Sequence, residues 1–383
     1  MEAGTGGPEA LTALREEVRE FIEQQRVNGR FRPEVDSWLA GWDEEFSRAL
    51  GAKGWLGMSI PREHGGHGRS YLERYVVTEE LLCAGAPVAA HWIADRQIAP
   101  ALVRFGTREQ REEFLPAIAR GESYWAIGMS EPDAGSDLAS VRTRATRVEG
   151  GWQITGTKVW TSGAHRAHAF FVLARSAPRS DGGRHDGLSQ FLVRLDAPGV
   201  TVSPIHSLDG SHHFNEVSLD AVFVPDGDVL GEIGNGWHQV TSELKFERSG
   251  PERFLSVFPA LQRLTEVEEV VVHAPDDGLG HHFSRLVALH HLSFDVACRL
   301  QDGAPAEVLA TMVKEMGTRT EGDLADDLAD WASRSPHQDT ELARLLADGL
   351  TRRAGFTLRG GTNEILRGLV AKGMDKQQAG GAT

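Results

Sequence analysis

Four passages place hydroxyls, glycines, an indole and a carboxylate where they could bind a flat ring and move a proton. In WAIGMSEPDAGSD a strand runs into a tight turn. Backbone N–H groups of Gly135, Ser136 and Asp137, with the hydroxyls of Ser130 and Ser136, suit the polar edge of a ring system or a thioester carbonyl. A plain Asx-type turn between two strands accounts for the same residues. In GTKVWTSGA, Trp160 precedes Thr161 and Ser162. Its indole could stack on a ring while the hydroxyls bond the heteroatoms, or it could be a core tryptophan beside surface hydroxyls.

The other two passages lie later in the chain. In SELKFERSGPERFLSVF, helical spacing puts Leu244, Glu247, Arg248, Pro251, Phe254, Leu255, Phe258 and Leu261 on one face. Glu247 then occupies an apolar stripe, where a carboxylate must be neutralised, paired or functional. Arg248 could pair with it or with an anionic group of a substrate. The Gly250-Pro251 step kinks or starts a helix within this stretch. In LRGGTNEILRGL, Gly360 and Gly361 permit close approach of backbone to a ligand, and Thr362 caps a helix starting at Asn363. That helix N-terminus could hold an electron-rich group, and an ordinary capped helix after a loop fits equally. The histidine pairs His212-His213, His281-His282 and His290-His291 point apart on any regular element, so no metal is expected.

Three regions must position these residues. The first is helical: Leu11, Leu14, Val18, Phe21 and Ile22 share a face. A second run surrounds Phe46, Leu50 and Trp55, and a third starts near Tyr71 and carries Val76, Val77, Leu81 and Leu82. A fourth follows the capping Thr107. From about Tyr124 to Leu230 the chain changes to short β runs. RTRATRVEGGWQITGTKVW reads as a hairpin turning at Gly150-Gly151, and AFFVLARS, QFLVRL, VTVSPI and VSLDAVFVP are further strands. Such a series argues for an antiparallel sheet or small barrel. After Gly236 helices return: Val308, Leu309, Met312, Val313 and Met316 form a stripe, and a long segment spans Leu345 to Val370 before a frayed Gly/Gln-rich tail. HAPDDGLGHHF interrupts this last third.

The 383 residues carry a formal charge of −15, which argues against a general nucleic-acid or anionic-membrane surface. The two cysteines, Cys83 and Cys298, read as small hydrophobes and demand no oxidising compartment. The N-terminus lacks the apolar core of a secretory signal, and no stretch approaches the ~20 apolar residues of a membrane helix. A soluble, cytoplasmic protein is expected.

Taken in order and spacing, the four passages resemble the acyl-CoA dehydrogenases. GWLGMSIPREHGGHG and FGTREQREEFLPAIARGE are similar to that family's N-terminal region. GLSQFLVRLDAPGV and HFNEVSLDAVFVPDGDVLGEIGNGW resemble its middle domain and the entry to its last. The likeness spans nearly the whole chain and is strongest over Trp55–Arg253 and Gly355–Ala371. It implies an α+β fold with an N-terminal α-helical domain (1–122), a middle β-barrel-like domain (123–232) and a C-terminal four-helix bundle (233–383). It also implies FAD, an acyl-CoA or acyl-carrier-protein substrate, an electron-transferring flavoprotein or other acceptor, and a homo- or hetero-oligomer.

By motif, Met129, Ser130, Gly135 and Ser136 would contact flavin or thioester, and Trp160 and Ser162 would lie against the isoalloxazine. Thr362 and Glu364 would hold FAD, Arg248 would reach the CoA phosphates, and Gly360 would line the substrate site. Two departures stand out. Many members carry the catalytic glutamate where this chain has Gly360; isovaleryl- and long-chain acyl-CoA dehydrogenases instead carry it at the position of Glu247, the catalytic base expected here. The family's Arg-x-x-Phe-Gly and Gln-x-x-Gly-Gly motifs, which serve the FAD diphosphate, are not found. A carrier-protein dehydrogenase, a flavin monooxygenase and a non-catalytic subunit are the alternatives on this scaffold.

Overall fold

A computed structural model of the chain describes residues 7–178, 183–272, 274–275, 277–336 and 339–380, and gives backbone alone for 244–247, 269–270 and 376–380. The first helix, α1 (Pro8–Val27), opens with proline in its first turn, where the missing N–H costs nothing. It buries Leu14, Val18, Phe21 and Ile22, the expected face. Short α2 (Ser37–Ala40) follows, then α3 (Glu44–Ala52), N-capped by the Asp43 carboxylate on Phe46 N–H. Phe46 and Leu50 lie in α3, but Trp55 falls in the turn beyond it, past Gly54 in the left-handed region.

Helix α4 (Tyr71–Cys83) starts with a reciprocal Ser70–Glu73 capping box. The next helical stretch was not legible in the sequence. It comprises α5 (Ala89–Ile93), a π turn (Ala94–Ile98) and α6 (Ala99–Phe105). It is buried on nearly all sides, and the π turn shifts the phase, so no 3.6-residue stripe survives. The π turn also aims the Asp95 carboxylate at Gly57 N–H, 2.7 Å away. Helix α7 (Arg108–Ala119) is capped by Thr107 with Gln110 reciprocating.

The strands are β1 (Trp125–Gly128), β2 (Arg144–Val148), β3 (Gly151–Lys158), β4 (Ala169–Arg175), β5 (Leu188–Arg194), β6 (Val200–His206), β7 (His212–Pro225) and β8 (Val229–Leu230). They form one sheet in the order β6-β7-β3-β2-β4-β5-β8, with β1 pairing β4 in parallel. The expected β2–β3 hairpin is present, turning at Gly150, and most other pairings are antiparallel. Inward residues including Ile154, Phe170, Val172, Phe191, Val217 and Val222 make its core. The register of β3 against β7 shifts between Ile154 and Gly156. A side chain at Gly156 would meet Thr143 Oγ1 at 2.4 Å, so glycine is required at this bulge.

Helices return with α8 (Gly236–Arg248), α9 (Phe258–Thr265), α10 (Glu268–Val271), α11 (Gly278–Gln301), α12 (Glu307–Arg334), α13 (Thr340–Phe356) and α14 (Asn363–Gly380). Several expectations change here. The stripe from Leu244 to Leu261 is not one helix face: α8 ends at Arg248, and Pro251–Arg253 form a separate 3-10 turn after Gly250. GLGHHF opens the long helix α11, so the interruption is confined to the residues before Gly278. On α12 the buried face runs through Ala310, Val313, Lys314, Gly317, Glu321, Leu324, Leu328 and Trp331, whereas Met316 is exposed. The apolar stripe misread α12 because its packed face includes glycine, lysine and glutamate. The segment Leu345–Val370 breaks into α13 and α14 around a turn at residues 357–362, and the helical backbone continues through the Gly/Gln tail to Gly380.

The chain divides into two compact units. One comprises Met1–Trp42, Arg69–Val88 and Lys245–Thr383; the other comprises Asp43–Gly68 and Ala89–Leu244. In the first, α1 packs on α4, and α12 packs with α11, α13 and α14. Arg15 of α1 reaches Glu79 of α4 at 2.8 Å. In the second, Gln110 of α7 donates to the carbonyls of Gly227 and Val229, both at 2.8 Å. Among the described residues no helix is long and apolar enough to cross a membrane.

Candidate active site

In the sheet-containing unit, β1 delivers the chain into the turn that carries Met129, Ser130, Gly135 and Ser136. Backbone hydrogen bonds between Glu131 and Ala134 close it around Pro132 and Asp133, and Gly135, Ser136 and Asp137 follow, exposed. Its shape is set by a carboxylate. Glu131 accepts from the N–H groups of Arg142 (2.6 Å) and Thr143 (2.9 Å) and from Lys158 Nζ (2.8 Å). Lys158, wholly buried at the end of β3, also donates to the Met129 carbonyl at 3.0 Å. Burial pushes the lysine down to about 8 against the pull of Glu131. Burial opposes ionisation of Glu131 too, but Lys158 and the two N–H groups hold its carboxyl below the usual range. The pair is charged and locks the Met129–Ser130 backbone to the end of β3.

Two residues beyond Lys158, Trp160 adopts φ 60°, the left-handed region that bulky residues avoid. Its ring is 58% exposed and touches Phe214 edge-on at 5.6 Å. A large apolar ring held outward on strained backbone is not a core tryptophan, and its exposed face is the kind of surface on which a flat ring can stack. Thr161 is buried, and its Oγ1 has no hydrogen-bond partner among the described residues. Backbone bonds in both directions between Thr161 and Asn215 fix this corner to β7, and Ser162 follows half-buried. An exposed indole beside hydroxyls fits the ring system of a flavin.

In the helical unit, Glu247 lies in the last turn of α8, and its side chain falls outside the described residues. Its neighbour Arg248 is placed: Nε donates to the Gly360 carbonyl at 3.0 Å. The two late motifs therefore meet. Gly361 has φ 94°, and a side chain there would come within 3.2 Å of Arg248 Nη2, so the guanidinium lies along a glycine surface. Thr362 Oγ1 stands 3.5 Å from Ile365 N–H, too long for a firm cap, while its carbonyl accepts from Leu366 at 3.0 Å. Glu364 is exposed in the first turn of α14, where a helix favours an acid.

Sequence reasoning passed over what clamps this turn. Buried Lys314 of α12 donates to Asn363 Oδ1 (2.8 Å) and to the Thr357 carbonyl (3.0 Å), bridging the two ends of the turn. Thr318 adds a bond to the same Asn363 oxygen at 3.3 Å. The signal for Lys314 was its helical spacing from Ala310, Gly317 and Glu321, a face hidden by its polar members. The signal for Lys158 was its strand parity with Ile154, obscured by the bulge between them. Around β6 and β7, His165 and His212 stack at 4.0 Å with Asn215 between their ring nitrogens. Among the described residues no three metal-type side chains converge.

Comparison with known proteins agrees with this architecture. The model of the acyl-CoA dehydrogenase N-terminal domain matches residues 8–122, and that of the middle domain matches residues 126–222. Acyl-CoA dehydrogenase FadE26 of Mycobacterium tuberculosis is 34% identical over 85% of this chain and 86% of its own length. FadE34 of the same organism is 34% identical over 95% of this chain, which spans only about half of it (51%). A solved structure, the Tcur3481-Tcur3483 steroid ACAD, superposes with a TM-score of 0.81 at 31% identity, covering 95% of this chain and 97% of that one. The chain belongs to the acyl-CoA dehydrogenase family, the oxidoreductase class that its motifs resemble.

Proposed function

We propose that this chain oxidises an acyl thioester to its α,β-unsaturated product, with Glu247 as the base. The observation that carries the reading is the outward Trp160 ring, 58% exposed on left-handed backbone beside the orphaned Thr161 hydroxyl. A protein gains nothing structurally from that arrangement; a bound ring system does. In the sheet unit, Met129, Ser130, Gly135, Ser136, Trp160 and Ser162 are the residues proposed to contact FAD; in the helical unit, the proposed flavin contacts are Thr362 and Glu364. When bound, the flavin supplies the hydride acceptor.

Within this reading the turn amides polarise the thioester carbonyl, which acidifies the α-C–H by stabilising developing enolate charge. Glu247 takes the α-proton. Gly360 leaves that base no rival on the turn before α14, and its missing side chain gives room for a bulky acyl group. The similarity to a steroid ACAD supports a large, ring-containing acyl thioester as the substrate class. Arg248, bonded to the Gly360 carbonyl, is the cation proposed to meet the anionic part of CoA. A separate electron acceptor such as an electron-transferring flavoprotein completes the cycle. The domains expected at 1–122, 123–232 and 233–383, a cytoplasmic location and an oligomeric state belong to the same proposal.

The test is an anaerobic titration of the purified protein with acyl-CoAs of increasing bulk, following the visible flavin band. Bleaching by one acyl class, lost in Glu247→Gln with the flavin still bound, is expected. A yellow protein that no CoA ester reduces, but an acyl-carrier-protein ester does, would move the substrate to a carrier protein. Oxygen consumption with reduced flavin would identify a monooxygenase. A colourless protein that gains flavin only with a homologous partner would make the chain a non-catalytic subunit.

A further inference from the structure

Arg359 immediately precedes Gly360, and its side chain turns away from the glycine pair into the helical unit. There Nη1 donates to Asp36 Oδ2 at 2.6 Å, and the guanidinium lies over the rings of Trp38 (4.5 Å) and Phe356 (5.0 Å). Asp36 itself sits at φ 58°, fixed by its N–H on the Ser256 carbonyl at 2.9 Å. Ser256 N–H in turn donates to Glu321 Oε1 of α12 at 2.7 Å. Asp36 and Glu321 are both buried. Among the described residues one oxygen of each, Asp36 Oδ1 and Glu321 Oε2, finds no hydrogen-bond partner, and neither do Arg359 Nε and Nη2.

Two buried acids and one arginine with unspent donors make up more polar machinery than packing needs. A buried unmade hydrogen bond is destabilising, so an apolar residue at any of these positions would be more stable unless the charge has a use. The use is visible in the covalent connection: whatever fixes Arg359 fixes Gly360, whose carbonyl Arg248 holds from the other side. We infer that Asp36, Arg359 and Glu321 are positioning residues that hold the Gly360–Thr362 turn against Arg248. This deepens the proposed function, since it concerns the same turn. Burial raises Glu321 to about 7, which Arg359 and Ser256 resist and Asp36 reinforces. Glu252 and Arg253 are buried in the adjoining 3-10 turn, with the Arg253 guanidinium also over the Trp38 ring at 5.1 Å. An ionised Glu321 attracts Arg359, so the turn should be held more firmly above that value than below it.

Hydrogen exchange of the full chain, read by mass spectrometry, tests this without any substrate. In Arg359→Gln, amides of residues 357–366 should exchange about tenfold faster than in the unaltered protein, while those of Thr340–Phe356 stay unchanged. Unchanged exchange at the turn, or equal acceleration everywhere, would overturn the inference. Should that variant not fold, Glu321→Gln decides. In the unaltered protein, protection of 357–366, corrected for intrinsic rates, should be greater at pH 8 than at pH 6, and Glu321→Gln should abolish the difference. The same pH response in both proteins would overturn the inference. Flavin reduction keeps the two claims apart. If the exchange results hold and no thioester reduces the unaltered protein, the proposed reaction fails and the positioning role stands.

Discussion

Lys158 Nζ lies 2.8 Å from a carboxylate oxygen of Glu131, with the lysine wholly buried. Such a pair owes little of its worth to attraction alone, because each ion has left water. Its value lies in geometry: one ammonium joins the end of β3 to the Met129 carbonyl and to the carboxylate that organises residues 131–143. Removing one partner leaves the other buried and uncompensated. Glu131→Gln should therefore cost about 3–5 kcal/mol of unfolding free energy. Urea titration measures this; a loss below about 1 kcal/mol would mean that water or a neighbour replaces the carboxylate.

Trp160 gives the opposite expectation. Its ring is largely exposed and its backbone is strained, so Trp160→Gly should leave stability unchanged or raise it by up to about 1 kcal/mol. Flavin affinity should fall by about tenfold as the stacking surface disappears. Retained affinity in a normally folded variant would remove Trp160 from the flavin site.

Gly361→Ala probes the seam between the two late motifs. A Cβ there meets Arg248 Nη2 at 3.2 Å on backbone at φ 94°. The strain should cost more than about 1 kcal/mol and displace the arginine. The Michaelis constant for CoA esters should rise more than the turnover number falls. An unchanged constant would show that Arg248 does not serve the CoA end.

His91 sets an acid limit. Burial lowers it to about 4, with Asp95 opposing and Arg96 assisting, and Ser47 Oγ lies 2.9 Å from its Nδ1. A folded-state value below the unfolded one means that the unfolded chain binds the proton more readily. The contribution of His91 is thus complete above about 6.5 and is lost as pH falls toward 4. Melting temperatures across that window should drop less steeply in His91→Gln than in the parent.

Much of this was legible in advance, and what was not has identifiable causes. Amphipathic α1, the β2–β3 hairpin and the strand series follow from 3.6- and 2-residue periods that one-sided burial imposes. Ala89–Phe105 escaped because residues buried all round show no period. The buried face of α12 escaped because Lys314, Thr318 and Glu321 serve the turn before α14 and Ser256 rather than an apolar seam. Trp160, Arg248, Gly360 and Thr362 were singled out by residue type and spacing, and the structure places Arg248 on Gly360. The buried charges that fix their backbone were not, because a lone lysine or glutamate carries no sign of its distant partner.

The threading of the chain sets a constraint on its biosynthesis. The helical unit takes its pieces from Met1–Trp42, Arg69–Val88 and Lys245–Thr383, so α1 and α4 leave the ribosome long before α11 exists to pack on α4. The face of α4 that α11 covers must wait through translation of the entire Ala89–Leu244 stretch. A nascent chain in that condition is a client for a holding chaperone and a target for proteases. Slowing elongation within Ala89–Leu244 should therefore lower the yield of intact protein, whereas the same delay placed after α12 should cost much less.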